Sequence, residues 1–182
     1  KDGKWIINGQ KTFISNGIHS DIVIVVARTD ASPEKPYAGI SLFIVERDAK
    51  GFSRGRRLGK IGLHAQDTAE LAFENCEIPQ DNLLGRRGGG FSYLMKNLGI
   101  ERLGIAVMSL AQAHGAYELT LEYVKERHAF GCAIADFQNT RFKMAEAHTD
   151  LAVGSAFIER CVGDHLAGKD ITVQASQAKL WA

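Results

Sequence analysis

Two short stretches of the chain carry residue types that could do chemistry. In Phe13-Ile14-Ser15-Asn16-Gly17 an aromatic ring, a hydroxyl and tight-turn residues are crowded at the end of a strand-like run. A flat ligand could stack on such a ring and take a hydrogen bond from the hydroxyl. On residue chemistry alone, a core phenylalanine followed by an ordinary turn is the simpler account. The second stretch is Glu101-Arg102, set between Leu98, Ile100 and Leu103 early in an apolar helical pattern. If buried there, a carboxyl would have a raised pKa and suit general-base work. Most lone helical glutamates instead face solvent or cap the helix.

Other constellations are excluded by spacing. The six histidines (His19, His64, His114, His128, His148, His165) form no H-E-x-x-H and no E-x-x-H, and no cysteine pair has metal-ligand spacing, so no metal is expected. No G-x-S-x-G is present to present a serine nucleophile. The run Gly85-Arg86-Arg87-Gly88-Gly89-Gly90 fits neither G-x-G-x-x-G nor the Walker pattern and reads as a flexible interdomain joint. Arg54, Arg56, Arg57 and Lys60 read as a solvated sheet face rather than a nucleic-acid patch.

The elements that must position these residues change period midway. Trp5-Ile6-Ile7, Lys11 to Ile14, Asp21 to Arg28, Gly39 to Glu46, Phe52 to Leu58 and Ala69 to Phe73 read as strands. Asn8-Gly9 suggests a type I′ hairpin between the first two, and a loop containing Pro33 and Pro36 joins the next pair. About six short strands with no helix between them predict an antiparallel barrel or sandwich. Beyond the glycine seam, Phe91, Leu94, Met95 and Leu98, and then Leu103, Ala106, Val107, Leu110 and Ala111, recur at helical spacing. That helix continues to Arg127, a second runs from Phe137 to Leu166 and closes near Gly168, and a third starts at Thr172. The fold class is therefore α+β: a β domain, then an antiparallel helical bundle. No internal repeat is present.

Composition bounds the function classes. Twenty-two Lys plus Arg against 21 Asp plus Glu leave a formal charge of +1, which gives no case for nucleic acid or an anionic membrane as partner. Cys76, Cys132 and Cys161 are dispersed and odd in number, arguing against a disulfide-stapled secreted domain and for a reducing compartment. No apolar run approaches the ~18 residues of a membrane span. The start Lys1-Asp2-Gly3-Lys4 is not a secretory signal, and the chain reads as an excerpt of a longer polypeptide.

Taken together, the ordered motifs resemble the acyl-CoA dehydrogenase family. Gly9-Gln10-Lys11-Thr12-Phe13-Ile14-Ser15-Asn16-Gly17 is similar to its G-x-K-x-[WF]-I-[ST]-N-G segment. Gln66 to Asn75, Ile78-Pro79, Asn82-Leu83-Leu84-Gly85 and Gly90-Phe91 follow its second signature, and Arg127-His128-Ala129-Phe130-Gly131 with Phe137-Gln138 its R-x-x-F-G pattern. Ala65 to Leu71 and Ile100-Glu101-Arg102-Leu103 are most similar to the long-chain branch.

The resemblance implies a middle β domain over 1–85 and the first part of the C-terminal helical domain over 86–182. It implies FAD as cofactor and α,β-dehydrogenation of acyl-CoA thioesters, a carboxylate taking the α proton while hydride leaves the β carbon for flavin N5. By the same resemblance Phe13, Ile14 and Ser15 flank the flavin ring, and Arg127 and Gln138 bind its pyrophosphate across a dimer interface with Phe130 beside it. Arg102 adjoins the base in the substrate site. Glu101 is that base, a position used by long-chain and isovaleryl-type members, whereas most branches take it from a later segment. Phe13 and Ser15 replace the more frequent Trp and Thr, and Gly99 stands where some relatives carry Asp or Pro. The implied partners are an electron-transfer flavoprotein and further copies of the chain in a homotetramer, in a bacterial cytoplasm or a mitochondrial matrix. The alternatives are a flavin oxidase or monooxygenase of the same architecture, or a non-catalytic acyl-CoA-binding scaffold.

Overall fold

The structure, a computed structural model, describes residues 3–30 and 35–182. Pro33 of the expected loop and the start Lys1-Asp2 lie outside the described residues. The chain forms two compact units, Lys1–Leu94 and Met95–Ala182.

In the first unit, strands β1 (Lys4–Ser15), β5 (Thr68–Pro79) and β4 (Phe52–Arg57) form one antiparallel sheet in that order. Strands β2 (Ile22–Arg28), β3 (Ile40–Glu46) and β6 (Leu83–Leu84) form the other. Period-two alternation turns Ile7, Leu71, Phe73, Cys76 and Ile78 of the first sheet toward the same core as Val25, Phe43 and Val45 of the second. The Trp5 ring leans on Phe43 at 5.2 Å and Phe52 stacks on Phe73 at 5.0 Å. Each fully buried Val, Leu, Ile or Phe of this cluster contributes about 1.5–3 kcal/mol.

The expected hairpin at Asn8-Gly9 does not form, because β1 runs unbroken through it. Gly9, at φ 140°, sits instead at a register shift where Asn8 opposes both Glu74 and Asn75 of β5. Asn75 adopts φ 48° there, and its N–H donates to Asn8 Oδ1 at 2.7 Å. The asparagine and glycine thus serve a β-bulge, which needs the same left-handed backbone as a turn. This bulge also explains why β5 extends past Phe73, where the alternation breaks.

The Gly85–Gly90 stretch is no loose joint. Gly88 N–H donates to Ser41 Oγ at 2.8 Å, Arg86 N–H donates to Tyr93 Oη at 3.1 Å, and Arg87 pairs with Asp30 at 2.5 Å. A Cβ on Gly90 would lie 2.9 Å from the Ile40 carbonyl oxygen, so glycine is what lets this backbone lie against β3.

Helix α1 (Gly90–Glu126) is 37 residues long, roughly 55 Å at 1.5 Å per residue. It is followed by a minimal hairpin, β7 (His128–Ala129) and β8 (Cys132–Ala133), then by α2 (Gln138–Leu166) and α3 (Thr172–Trp181). In the second unit, Leu103 and Ala106 of α1, Ile158 and Cys161 of α2, and Ile171, Ala175 and Ala178 at α3 form one core. Burial there pushes the Cys161 thiol up from its ordinary value. Asp170 opens α3: its Oδ1 accepts from Thr172 Oγ1 at 2.7 Å and from Thr172 N–H at 2.9 Å, and those two bonds hold its carboxyl below the usual range. Among the described residues no helix is long and apolar enough to cross a membrane.

Candidate functional site

The expected site residues fall into two groups, one in each unit. In the first unit, Phe13 is 78% exposed, so the simpler account of a core phenylalanine fails. The register explains its position: Lys11 pairs with Leu71 and Ile14 with Ala69, leaving Thr12 and Phe13 opposite the single residue Glu70. This second bulge sets Phe13 at φ 60°, a left-handed conformation costly for an aromatic residue. Ile14, on the neighbouring position, packs against the sheet core, and Ser15 pairs with Thr68 with its side chain exposed. The strand thus anchors its middle residue and offers a ring and a hydroxyl on either side of it.

In the second unit, the hairpin between α1 and α2 gathers Arg127, Phe130 and Gln138. Ala129 pairs with Cys132 across Phe130 and Gly131, which stand at φ 52° and 90°. Positive φ at both central positions defines the type I′ turn, so the turn type expected at Asn8-Gly9 occurs here instead. Phe130 is 98% exposed at its tip, its ring edge-on to Phe137 at 6.4 Å. The Arg127 carbonyl accepts from Ile134 N–H at 2.8 Å, which folds the end of α1 back toward the start of α2. Gln138 is the first residue of α2, whose first turn carries no acidic residue and no side-chain cap. Among the described residues, neither the Arg127 guanidinium nor the Gln138 amide has a side-chain partner. A cation, an uncommitted amide and an uncapped helix start make a donor set that suits a diphosphate. The bare rings of Phe13 and Phe130 suit flat heterocycles. Taken unit by unit, the exposed residues are of the types that a dinucleotide such as FAD uses.

Glu101 is exposed on α1, so the burial expected of it is not supplied by the described residues. Its neighbour Arg102 turns the other way, donating from Nη1 to Ser176 Oγ of α3 at 3.0 Å. One helical step separates an acid left free from a cation tied to the bundle.

Sequence reasoning missed one cluster. Arg54, read as part of a solvated face, is half-buried, with its guanidinium 4.9 Å over the Phe52 ring. It donates to the backbone carbonyls of Gly17 and Ser20 at 3.0 and 2.7 Å. The signal was present, since period two puts Arg54 on the same face as apolar Phe52.

The family model described as "Acyl-CoA dehydrogenase, middle domain" matches residues 1–76, and "Acyl-CoA dehydrogenase, C-terminal domain" matches 88–182. The long-chain specific acyl-CoA dehydrogenase of Sus scrofa mitochondria is 48% identical over 183 residues, covering 100% of this chain and 43% of that protein. A crystal structure of an acyl-CoA dehydrogenase from Geobacillus kaustophilus is 49% identical with TM-score 0.97, over 100% of this chain and 48% of that one. A chain in a structure of the electron transferring flavoprotein of Acidaminococcus fermentans is 39% identical with TM-score 0.91, over 100% and 47%. The chain thus spans less than half the length of the proteins it matches.

Proposed function

The chain belongs to the acyl-CoA dehydrogenase family, and from that premise we propose that the full-length protein is an FAD-dependent dehydrogenase. It converts acyl-CoA thioesters to trans-2-enoyl-CoA in fatty acid β-oxidation, and this chain supplies its middle β domain over 1–85 and the start of its helical domain over 86–182. When bound, FAD supplies a two-electron acceptor. Phe13 offers its ring face to the flavin and Ser15 a hydrogen bond, with Ile14 fixing both to the sheet. Arg127 and Gln138 hold the diphosphate, with the Phe130 ring beside it. Glu101 takes the α proton of the thioester, and Arg102, held by Ser176, keeps a positive charge one residue away. Reoxidation of the bound cofactor would fall to an electron-transfer flavoprotein as partner. The protein works as a homotetramer, a dimer of dimers, in a bacterial cytoplasm or a mitochondrial matrix.

The observation that carries this reading is the pair of exposed phenylalanines, Phe13 and Phe130, each on left-handed backbone at a position the family resemblance assigns to the cofactor. Strained, solvent-facing aromatic residues disfavour folding and point to a ligand that uses them. The test is direct. Purified full-length protein is expected to be yellow and to bleach anaerobically with palmitoyl-CoA. Colourless protein would overturn the reading in favour of a scaffold, and rapid reoxidation by air would turn it toward an oxidase.

A further inference from the structure

The turn that follows Ser15 is closed by its own backbone, Gly17 N–H donating to the Ile14 carbonyl at 3.3 Å and Ser20 N–H to the Asn16 carbonyl at 2.9 Å, and is tied down by residues from elsewhere in the first unit. Asn16, at φ 61°, donates its N–H to the Asp67 carbonyl at 2.9 Å, and Ile18 N–H donates to Asp67 Oδ2 at 2.7 Å. The Asp67 residue is 2% exposed. Arg47 Nη2 donates to the His19 carbonyl at 2.8 Å. Arg54 spans the turn, Nε on the Gly17 carbonyl and Nη2 on that of Ser20.

The position of Arg54 in the sheet sharpens its meaning. Leu71 of β5 pairs with Lys11 of β1 on one side and with Arg54 of β4 on the other. One step further, Glu70 is opposed by two residues on each side, Thr12-Phe13 and Gly55-Arg56. Both neighbours of β5 therefore bulge at the same level, and Arg54 lies where those distortions meet the turn. Among the described residues Arg54 pairs with no carboxylate, and its fork is spent on backbone carbonyls. A planar guanidinium can hold two such oxygens at a set separation, which a flexible ammonium cannot. Strained backbone of the Phe13 kind persists only where its surroundings over-determine it.

We propose that Arg54 is a positioning residue, fixing the Asn16–Ser20 turn and with it the angle at which Phe13 and Ser15 meet the flavin. This rests on the flavin-facing role given to Phe13 and Ser15 above. Asp67 and Arg47 hold the same turn from its other sides.

The test uses the full-length holoenzyme with Arg54→Met, which keeps the packing over Phe52 and removes every donor. The expected result is a changed visible circular dichroism of the bound flavin and roughly tenfold weaker FAD binding, with kcat lowered and KM for palmitoyl-CoA little changed. Arg54→Lys should recover part of each effect, and Arg56→Met, whose exposed side chain reaches Glu70 at 3.9 Å and none of the turn carbonyls, should leave all of them at wild-type values. An Arg54→Met protein with wild-type flavin dichroism and FAD affinity overturns the inference. Should that variant not fold, Arg54→Lys alone decides: an unchanged flavin spectrum and affinity overturn the inference, and a smaller shift in the same direction supports it. A wild-type protein without flavin overturns the underlying reading itself, which a yellow wild type with an indifferent Arg54→Met does not.

Discussion

Glu101 and Arg102 show how much one residue step decides on a helix. A rotation of about 100° separates adjacent side chains, so Arg102 reaches Ser176 while Glu101 stays free of any ion pair among the described residues. An acid without a partner can accept a proton without first breaking a bond. Glu101→Gln keeps the shape and removes the proton acceptor. It should lower the rate of flavin reduction by palmitoyl-CoA roughly a thousandfold while FAD stays bound. Stopped-flow absorbance under anaerobic conditions checks this, and near-normal reduction would move the base elsewhere.

At the scale of elements, the β7–β8 hairpin departs from the residues that its turn type favours. A type I′ turn favours Asn-Gly, and this chain has Phe130-Gly131. The phenylalanine forgoes local stability to hold a ring in solvent. Phe130→Asn should therefore stabilise the protein by about 0.5–1 kcal/mol and weaken FAD binding. Thermal unfolding of the apoprotein, beside FAD titration, measures both. A variant that melts lower than wild type would show that the ring packs rather than waits for a ligand. The bulge at Phe13 follows the same logic in a strand: an added residue re-aims one side chain outward, while Ile14 keeps the strand attached to its core.

On the scale of the whole molecule, each unit is built on its own buried cluster. Leu71, 1% exposed, lies in the first, in the strand that pairs with both β1 and β4. Leu71→Ala should cost about 2–5 kcal/mol, combining lost burial with an unfilled cavity. Hydrogen exchange on the full-length protein should show the loss as faster exchange in peptides covering β1, β4 and β5. Because Leu71 also opposes Arg54 and Lys11, the same substitution should loosen the Phe13 bulge. Unchanged protection in those peptides would show that this core does not hold the sheets.

Period and motif order determined much of this protein. The switch from alternation to helical spacing set out the β half and the three helices, and α2 and α3 begin within one residue of their expected starts. Those signals are local, since a strand or helix repeats its pattern within a few residues. Ordered motifs likewise carried the family and the candidate residues. Tertiary structure alone decided the rest. Asn8-Gly9 permits a turn and a bulge equally, and only the partner strand β5 selects the bulge. Phe13 could be core or exposed until the register against Glu70 turned it outward. Arg54 could be solvated until the Asn16–Ser20 turn brought backbone carbonyls to its fork. In each case the residue's own chemistry allows two states, and contacts from far along the chain decide between them.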